Sequence, residues 1–478
     1  MDLLRRFIGT AAATLDNPAI PWKVLITTFA VGEYALETYL SYRQYQVLQR
    51  KKIPVQLKEE IDQKTFDKSQ AYGRAKFKFG LVSGVFNMVK SLAVLRWNGY
   101  AWLWSLTGIW LAKATGGPMG SIGLLAQGTK WYNGTIAHSL LWTFAFSFAE
   151  TLLSLPFSYY HHFVLEETYG FNKQTLALFF TDLLKSQALA LGLGIPIGSA
   201  FLYIIDRTGE SFFLYLWLFT LALQLGAITI YPILIVPLFN KLTPLEPGTL
   251  RDRVHALADK LKFPLGELQV IDGSKRSAHS NAYFTGLPWK KKIVIYDTLI
   301  EKSEVKEVEA ILAHELGHWK MGHTTQLLGI SAGYLFFVFM LFSVFVRNGS
   351  LYEAFGFWSQ QPTIIGFILF NEVLSPTDAV VKLGMNVWTR RMEFQADEFS
   401  LKQGYAAELA TSLIKLQIQN LSAMDADWMY STYNYSHPIL TERLKAIGWT
   451  SDRKVGNYEE KKAAGAVAAN GGAGHKEL

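Results

Sequence analysis

The strongest constraint on this chain is the recurrence of apolar stretches about 20 residues long, the length a helix needs to cross a bilayer core. Seven are legible, near residues 22–42, 79–111, 136–160, 186–205, 212–239, 324–346 and 362–388. A soluble chain of 478 residues would divide into two or three domains without needing so many of them. Trp and Tyr gather near their ends, as at membrane–water interfaces. The fold class expected is therefore an all-α polytopic membrane protein. Several stretches carry charge at membrane depth: Glu33 and Glu37, Lys90, Glu150, Asp378 and Lys382. Such groups face a partner or an interior cavity and not lipid, which favours a bundle with a wet interior.

There is no cysteine. Disulfides, thiolate metal ligands, a cysteine nucleophile and prenylation or palmitoylation of the chain itself are excluded. The net charge of +7 is modest, and no basic stripe with interleaved aromatics lies outside the membrane pattern, so no nucleic-acid partner is expected. Charge bias sets the orientation. Residues 43–78 hold ten Lys and Arg and residues 240–323 hold thirteen, whereas the intervening loops hold only Lys113 and Lys130, Arg207, and Arg347. The positive-inside rule puts the basic segments and the C-terminus in the cytosol and the N-terminus in the lumen. Arg5 and Arg6 begin no convincing cleavable signal, and the run from Trp22 reads as an uncleaved anchor.

The organisation expected is a membrane bundle over 1–239, a cytosolic segment over 240–323, two further spans over 324–388, a second soluble segment over 389–455, and a disordered Ala/Gly-rich tail over 456–478. The 240–323 segment combines an amphipathic helix at Thr249–Leu261 with strand-like runs at Leu268–Asp272 and Lys292–Asp297.

Chemistry concentrates in His314-Glu315-Leu-Gly-His318. On a helix, positions i and i+4 share a face, so both imidazoles can reach one Zn2+. Such an ion acidifies a bound water, and Glu315 stands where a general base would take its proton. A third protein ligand is required. A histidine ten residues after His314 would give one class of site, but Thr324 occupies that position, His323 is one residue short, and Met321 replaces the glycine that class needs. The remaining option is a downstream glutamate followed by an aspartate one turn later. Glu393 and Asp397 fit, with Asp397 able to accept a hydrogen bond from a ligand histidine. Glu398 is the nearest rival and lacks the aspartate at i+4. The helix carrying this motif follows Glu301, Lys302, Glu304, Lys306, Glu307 and Glu309, so it approaches the membrane from the cytosol and does not span it.

With these residues in place the chain resembles the type I CAAX prenyl proteases, the a-factor-converting zinc metalloproteases of the endoplasmic reticulum membrane. The resemblance covers most of residues 20–450. It rests on the blocks Phe163–Thr175, Tyr231–Phe239, Asp272–Phe284, Ile295–Leu299 and Ser436–Pro438 together with the histidine motif. It implies a seven-helix barrel around a large chamber, with a gluzincin-type protease domain holding a small β-sheet. It implies removal of the three residues after a prenylated C-terminal cysteine and, in fungi, a second cut in a lipidated pheromone precursor. It implies one Zn2+ per chain on His314, His318 and Glu393, catalysis by Glu315, and an oxyanion-stabilising role for His437. Asn281 and Ala282 match an edge strand that pairs with substrate, and Arg443 is a supporting candidate behind the ligands. From the residues alone, His437 could equally cap a helix before Pro438, and Asn281 could be an ordinary turn residue.

The partners expected are prenylated CAAX substrates and the bilayer, with the chain a monomer in the endoplasmic reticulum membrane and the inner nuclear membrane. Two other readings are a transport or quality-control protein with a vestigial metal site, against which the retained Glu315 stands, and a membrane protease without lipid requirement. Sequons at Asn133 and Asn348 fall in the lumenal loops, and those at Asn420 and Asn434 fall on the cytosolic side.

Overall fold

The computed structural model describes residues 2–115, 134–287 and 290–449. The sequon at Asn133 and the tail from 456 lie outside the described residues. The chain opens with α1 (Asp2–Leu15) and α2 (Trp22–Val47). α3 (Gln63–Arg96) starts at Asp62, whose carboxylate accepts from Thr65 N at 2.6 Å. α4 (Gly99–Thr115), α5 (Gly134–Tyr160), α6 (Leu176–Thr208) and α7 (Phe212–Ile230) follow. π-helical turns continue α5 through Glu166 and α7 through Ile235 into the short α8 (Val236–Phe239).

The run near 79–111, expected as one long span, is two helices. α3 stops at Arg96 and α4 begins at Gly99, because Asn98 between them takes a left-handed φ of 53°. A single residue in that conformation ends a right-handed helix. Among the described residues, five stretches are long and apolar enough to cross a membrane. One of these, Leu176–Phe239, turns at Gly209–Ser211 and so holds both α6 and α7. α2 matches the stretch near 22–42 in length but, with Glu33 and Glu37 in its middle, is not in that group. α1 is amphipathic and lays Leu4, Ile8, Ala11 and Leu15 against the membrane core, a role its short apolar run did not announce.

Five of the six charges at membrane depth, all but Glu33, find partners. Lys90 pairs with Glu150, Lys382 Nζ sits 2.7 Å from Glu37, and Tyr334 donates to Asp378. Pairing limits the desolvation cost of each ion. The core around them is aromatic, centred on Trp142, Phe342, Tyr352, Phe355 and Phe370.

The soluble part is built on a four-stranded sheet. β1 (Leu242–Pro244), α9 (Thr249–Leu261), β2 (Leu265–Ile271), β3 (Ala282–Leu287) and β4 (Lys290–Tyr296) give the strand order β1-β2-β4-β3. β2 and β4 run parallel, the other pairs antiparallel, and β3 is an outer edge. Ala282↔Ile295 and Phe284↔Ile293 register places these four side chains on the face that packs on α9 and on the metal-motif helix.

α10 (Asp297–Lys302) leads into that helix, α11 (Val305–Lys320). Its start is fixed by a capping box in which Glu307 accepts from Glu304 N at 2.8 Å. Its back face carries buried carboxylates that are all paired: Glu307 with Lys415, and Glu309 with Arg253 and Tyr405. α12 (His323–Phe345) then enters the membrane, and the short α13 (Gly349–Ala354) follows. Asn348 caps α13 through Leu351 N at 2.8 Å, donates to Leu15 O at 2.9 Å and is only 1% exposed. This sequon is therefore sealed in the folded protein.

α14 (Thr363–Lys402) has 40 residues, about 60 Å of helix and twice the roughly 30 Å hydrocarbon thickness. Its second half must leave the membrane, and that half carries Glu393 and Asp397 to α11. α15 (Ala406–Gln419), α16 (Trp428–Asn434) and α17 (Leu440–Ile447) complete the described chain.

Candidate metal centre

α11 presents His314 and His318 one turn apart, and α14 presents Glu393 opposite them. The two histidine Nε2 atoms are 3.2 Å apart. Glu393 Oε2 lies 3.3 Å from His314 Nε2, and Oε1 lies 3.3 Å from His318 Nε2. A tetrahedral ion with bonds of about 2.0–2.1 Å needs ligand atoms about 3.3 Å apart. The trio fits zinc on that measure. It also leaves Glu393 Oε2 buried without a hydrogen-bond donor, a costly arrangement for a carboxylate that a cation would offset. Among the described residues this trio is the group able to hold a metal ion.

The two helices can meet because residue 317 has no side chain. A Cβ on Gly317 would stand 3.1 Å from Phe399 Cδ1 and 3.3 Å from Ala396 Cα. The glycine in the motif is thus a packing device that brings α11 onto α14.

Each ligand imidazole is held from behind. His314 Nδ1 is 2.9 Å from Asp397 Oδ1, and Arg443 of α17 donates to both oxygens of Asp397, at 2.8 Å from Nε and 2.5 Å from Nη2. This fixes the His314 proton on Nδ1 and leaves Nε2 for the ion. Burial opposes a charge on His314, but Asp397 and Glu393 outweigh it and push the imidazole up to about 9. A proton therefore competes with the metal for Nε2.

His318 has a partner that sequence reading discarded. His323, considered only as a ligand and rejected, opens α12 and lies with Nδ1 2.8 Å from His318 Nδ1; its Nε2 lies 3.1 Å from Gln395 Oε1. The amide oxygen can only accept, so His323 carries its proton on Nε2. Its Nδ1 then accepts from His318 Nδ1–H, which directs His318 Nε2 at the metal position. The relevant signal was a histidine just past a left-handed Gly322 (φ 67°), where the chain folds back on α11. Replacing His323 with Phe should weaken zinc binding about 10- to 100-fold, as loss of an outer partner does. Competition against a chelator measures this, and unchanged affinity would show that His318 needs no such partner.

Glu315 shares a cavity of about 540 Å³ with His318, Glu393 and His437. Burial pushes its carboxyl above the usual range, against the pull of both histidines. His437 Nε2 is 3.2 Å from Glu393 Oε1, and its Nδ1 meets Ser436 Oγ at 2.9 Å. It is not a helix cap: α17 is capped by Glu442, which accepts from Ile439 N at 3.2 Å. The ring instead stands 65% exposed to the cavity. Asn281 Oδ1 accepts from Ala282 N at 2.8 Å and starts β3, while Tyr283–Gly286 line the cavity directly. A second cavity of about 750 Å³, between α2, α3 and the C-terminal segment, shares Ser436 and His437 with the first.

Residues 44–241 match the family described as CAAX prenyl protease N-terminal, five membrane helices, and residues 244–450 match Peptidase family M48. The chain is 42% identical to CAAX prenyl protease 1 of Saccharomyces cerevisiae over 92% of its own length and 98% of that protein. It is 38% identical to the CAAX prenyl protease 1 homolog of Homo sapiens over 88% and 94% of the two chains. The crystal structure of S. mikatae Ste24p superposes with a TM-score of 0.82 at 42% identity, covering 90% of this chain and all of that one. A helical membrane bundle joined to a His-His-Glu centre, with this likeness along nearly the whole chain, makes it a metalloprotease belonging to the CAAX prenyl protease 1 family.

Proposed function

We propose that this chain removes the last three residues of prenylated CAAX proteins, using one Zn2+ held by His314, His318 and Glu393. The observation that carries this reading is the trio of ligand atoms 3.2–3.3 Å apart, with Glu315 and His437 opening onto the same cavity. When bound, zinc would polarise the scissile carbonyl and acidify the attacking water. Glu315 takes the proton from that water and returns it to the leaving amine. His437 donates to the oxygen that becomes negative as the carbonyl is attacked. Asp397 and Arg443 hold His314 in place. The open edge of β3, beginning at Asn281 and Ala282, receives the substrate backbone as an added strand. A second cut in a lipidated precursor would use the same centre.

The likeness to the CAAX prenyl proteases supports a place in the endoplasmic reticulum membrane and in the inner nuclear membrane continuous with it, where the chain acts as a monomer, and the charge bias between spans supports its orientation there. The segments 240–323 and 389–455 face the cytosol and the N-terminus faces the lumen. The full-length protein should cleave a farnesylated peptide ending in a CAAX sequence. A zinc chelator should abolish the cleavage and added zinc restore it. Equal cleavage of the unprenylated peptide would shift the reading to a protease without lipid requirement, and cleavage indifferent to chelation would end it.

A further inference from the structure

The cavity between α2 and α3 contains a cation that makes no ion pair among the described residues. Lys76 is the one Lys or Arg among the described residues lining it. No carboxylate lies within ion-pair distance of its ammonium among the described residues, and its Nζ rests 4.1 Å from the centre of the Tyr72 ring. The acidic group across the cavity, Glu37, is already held by Lys382 at 2.7 Å. The side chain of Lys76 is exposed to the cavity. One turn further along α3, Gly80 also lines the cavity and has open space where a Cβ would stand.

The same cavity reaches Ser436 and His437, and through His437 it meets the metal centre. Lys76 is also tied to the start of the edge strand. Tyr72, one turn before it, donates to Glu166 at 2.6 Å, and Glu166 lies 3.7 Å from His279, two residues before Asn281. A peptide added to β3 in antiparallel register has its C-terminal end at the beginning of β3. Three residues of extended chain span about 10 Å, and the group at their end is a carboxylate.

We propose that Lys76 binds the free C-terminal carboxylate of the substrate and so sets the distance from that terminus at which the chain is cut. This rests on the proposed function and adds the recognition element that separates a C-terminal tripeptidase-like cut from an internal one. An ammonium–carboxylate contact is a charge-assisted hydrogen bond, stronger than a neutral one. An internal peptide bond presents no such group, so cleavage within a longer chain would proceed without this contact.

The experiment compares farnesylated CAAX peptides ending in a free acid and in a carboxamide, using the full-length zinc-loaded protein. Wild type should prefer the acid by about 10- to 100-fold in kcat/KM, the scale of one charged hydrogen bond. Lys76→Met keeps the stem over Tyr72 and should bring the ratio near one, by slowing the acid and sparing the amide. Lys76→Arg should restore most of the preference. Lys291 is the control. It lines the metal cavity at the opposite end of β3, donates to Gly286 O at 3.2 Å, and likewise has no counterion among the described residues. Lys291→Met should leave the ratio unchanged. A wild-type protein indifferent to amidation, or a preference that survives Lys76→Met, would overturn the proposal. So would a preference lost in Lys291→Met instead. Absence of zinc-dependent cleavage of either peptide by wild type would instead count against the proposed function.

Discussion

Glu315→Gln is expected to lower kcat by about 10²- to 10⁴-fold, the range general-base catalysis supplies, while zinc content stays at the wild-type level. The two outcomes separate because Glu315 is adjacent to the metal ligands in sequence but is not among the ligand atoms. Its side chain opens onto the cavity shared with His318 and Glu393, and burial among them already works against its charge. Gln keeps the shape and removes the proton acceptor, so peptide binding should persist. Metal analysis alongside single-turnover cleavage of a prenylated peptide tests this. Wild-type turnover in Glu315→Gln would remove Glu315 from the chemistry, and loss of zinc would recast it as a structural support.

Glu393→Ala should have the opposite signature: zinc is lost, and activity with it. Two histidines four residues apart remain, which is one ligand short of the three that protease zinc sites keep. The loss should exceed the about 10- to 100-fold effect of removing an outer partner such as His323. A second readout guards against simple unfolding. Metal-free Glu393→Ala should still melt in a single cooperative transition, as metal-free wild type does. Zinc should raise the Tm of wild type, through binding to the folded state alone, and should not raise that of the variant. Retained zinc would send the third-ligand assignment to another carboxylate, with Glu398 the first to examine. Glu398 is a poor alternative on geometry, since it is exposed and pairs with Lys402 at 2.6 Å.

The parts of the site legible in the sequence are those set by periodicity within one element. His314 and His318 share a face of α11, and Glu393 and Asp397 share a face of α14, because each pair is four residues apart. Apolar run length announced the membrane helices for the same reason, and the amphipathic run Thr249–Leu261 became α9 with those bounds. The boundary at Asn98 was hidden because apolar composition continues across it, while a single left-handed residue decides where the helix ends.

By itself, then, the sequence determined the membrane-spanning class, the histidine pair on one helix face and the glutamate beside it, since all three follow from local spacing and side-chain chemistry. Tertiary structure alone decided that α14 outruns the bilayer and reaches α11, and that Gly317 lets the two helices touch. It also decided that His323 meets His318 where it had looked like a failed ligand, and that Lys76, which makes no ion pair among the described residues, lines the cavity His437 shares with the candidate metal centre. Those outcomes depend on which elements approach and which hydrogen-bond partners meet across them. Such contacts join residues far apart in the chain, where no repeat or spacing records them.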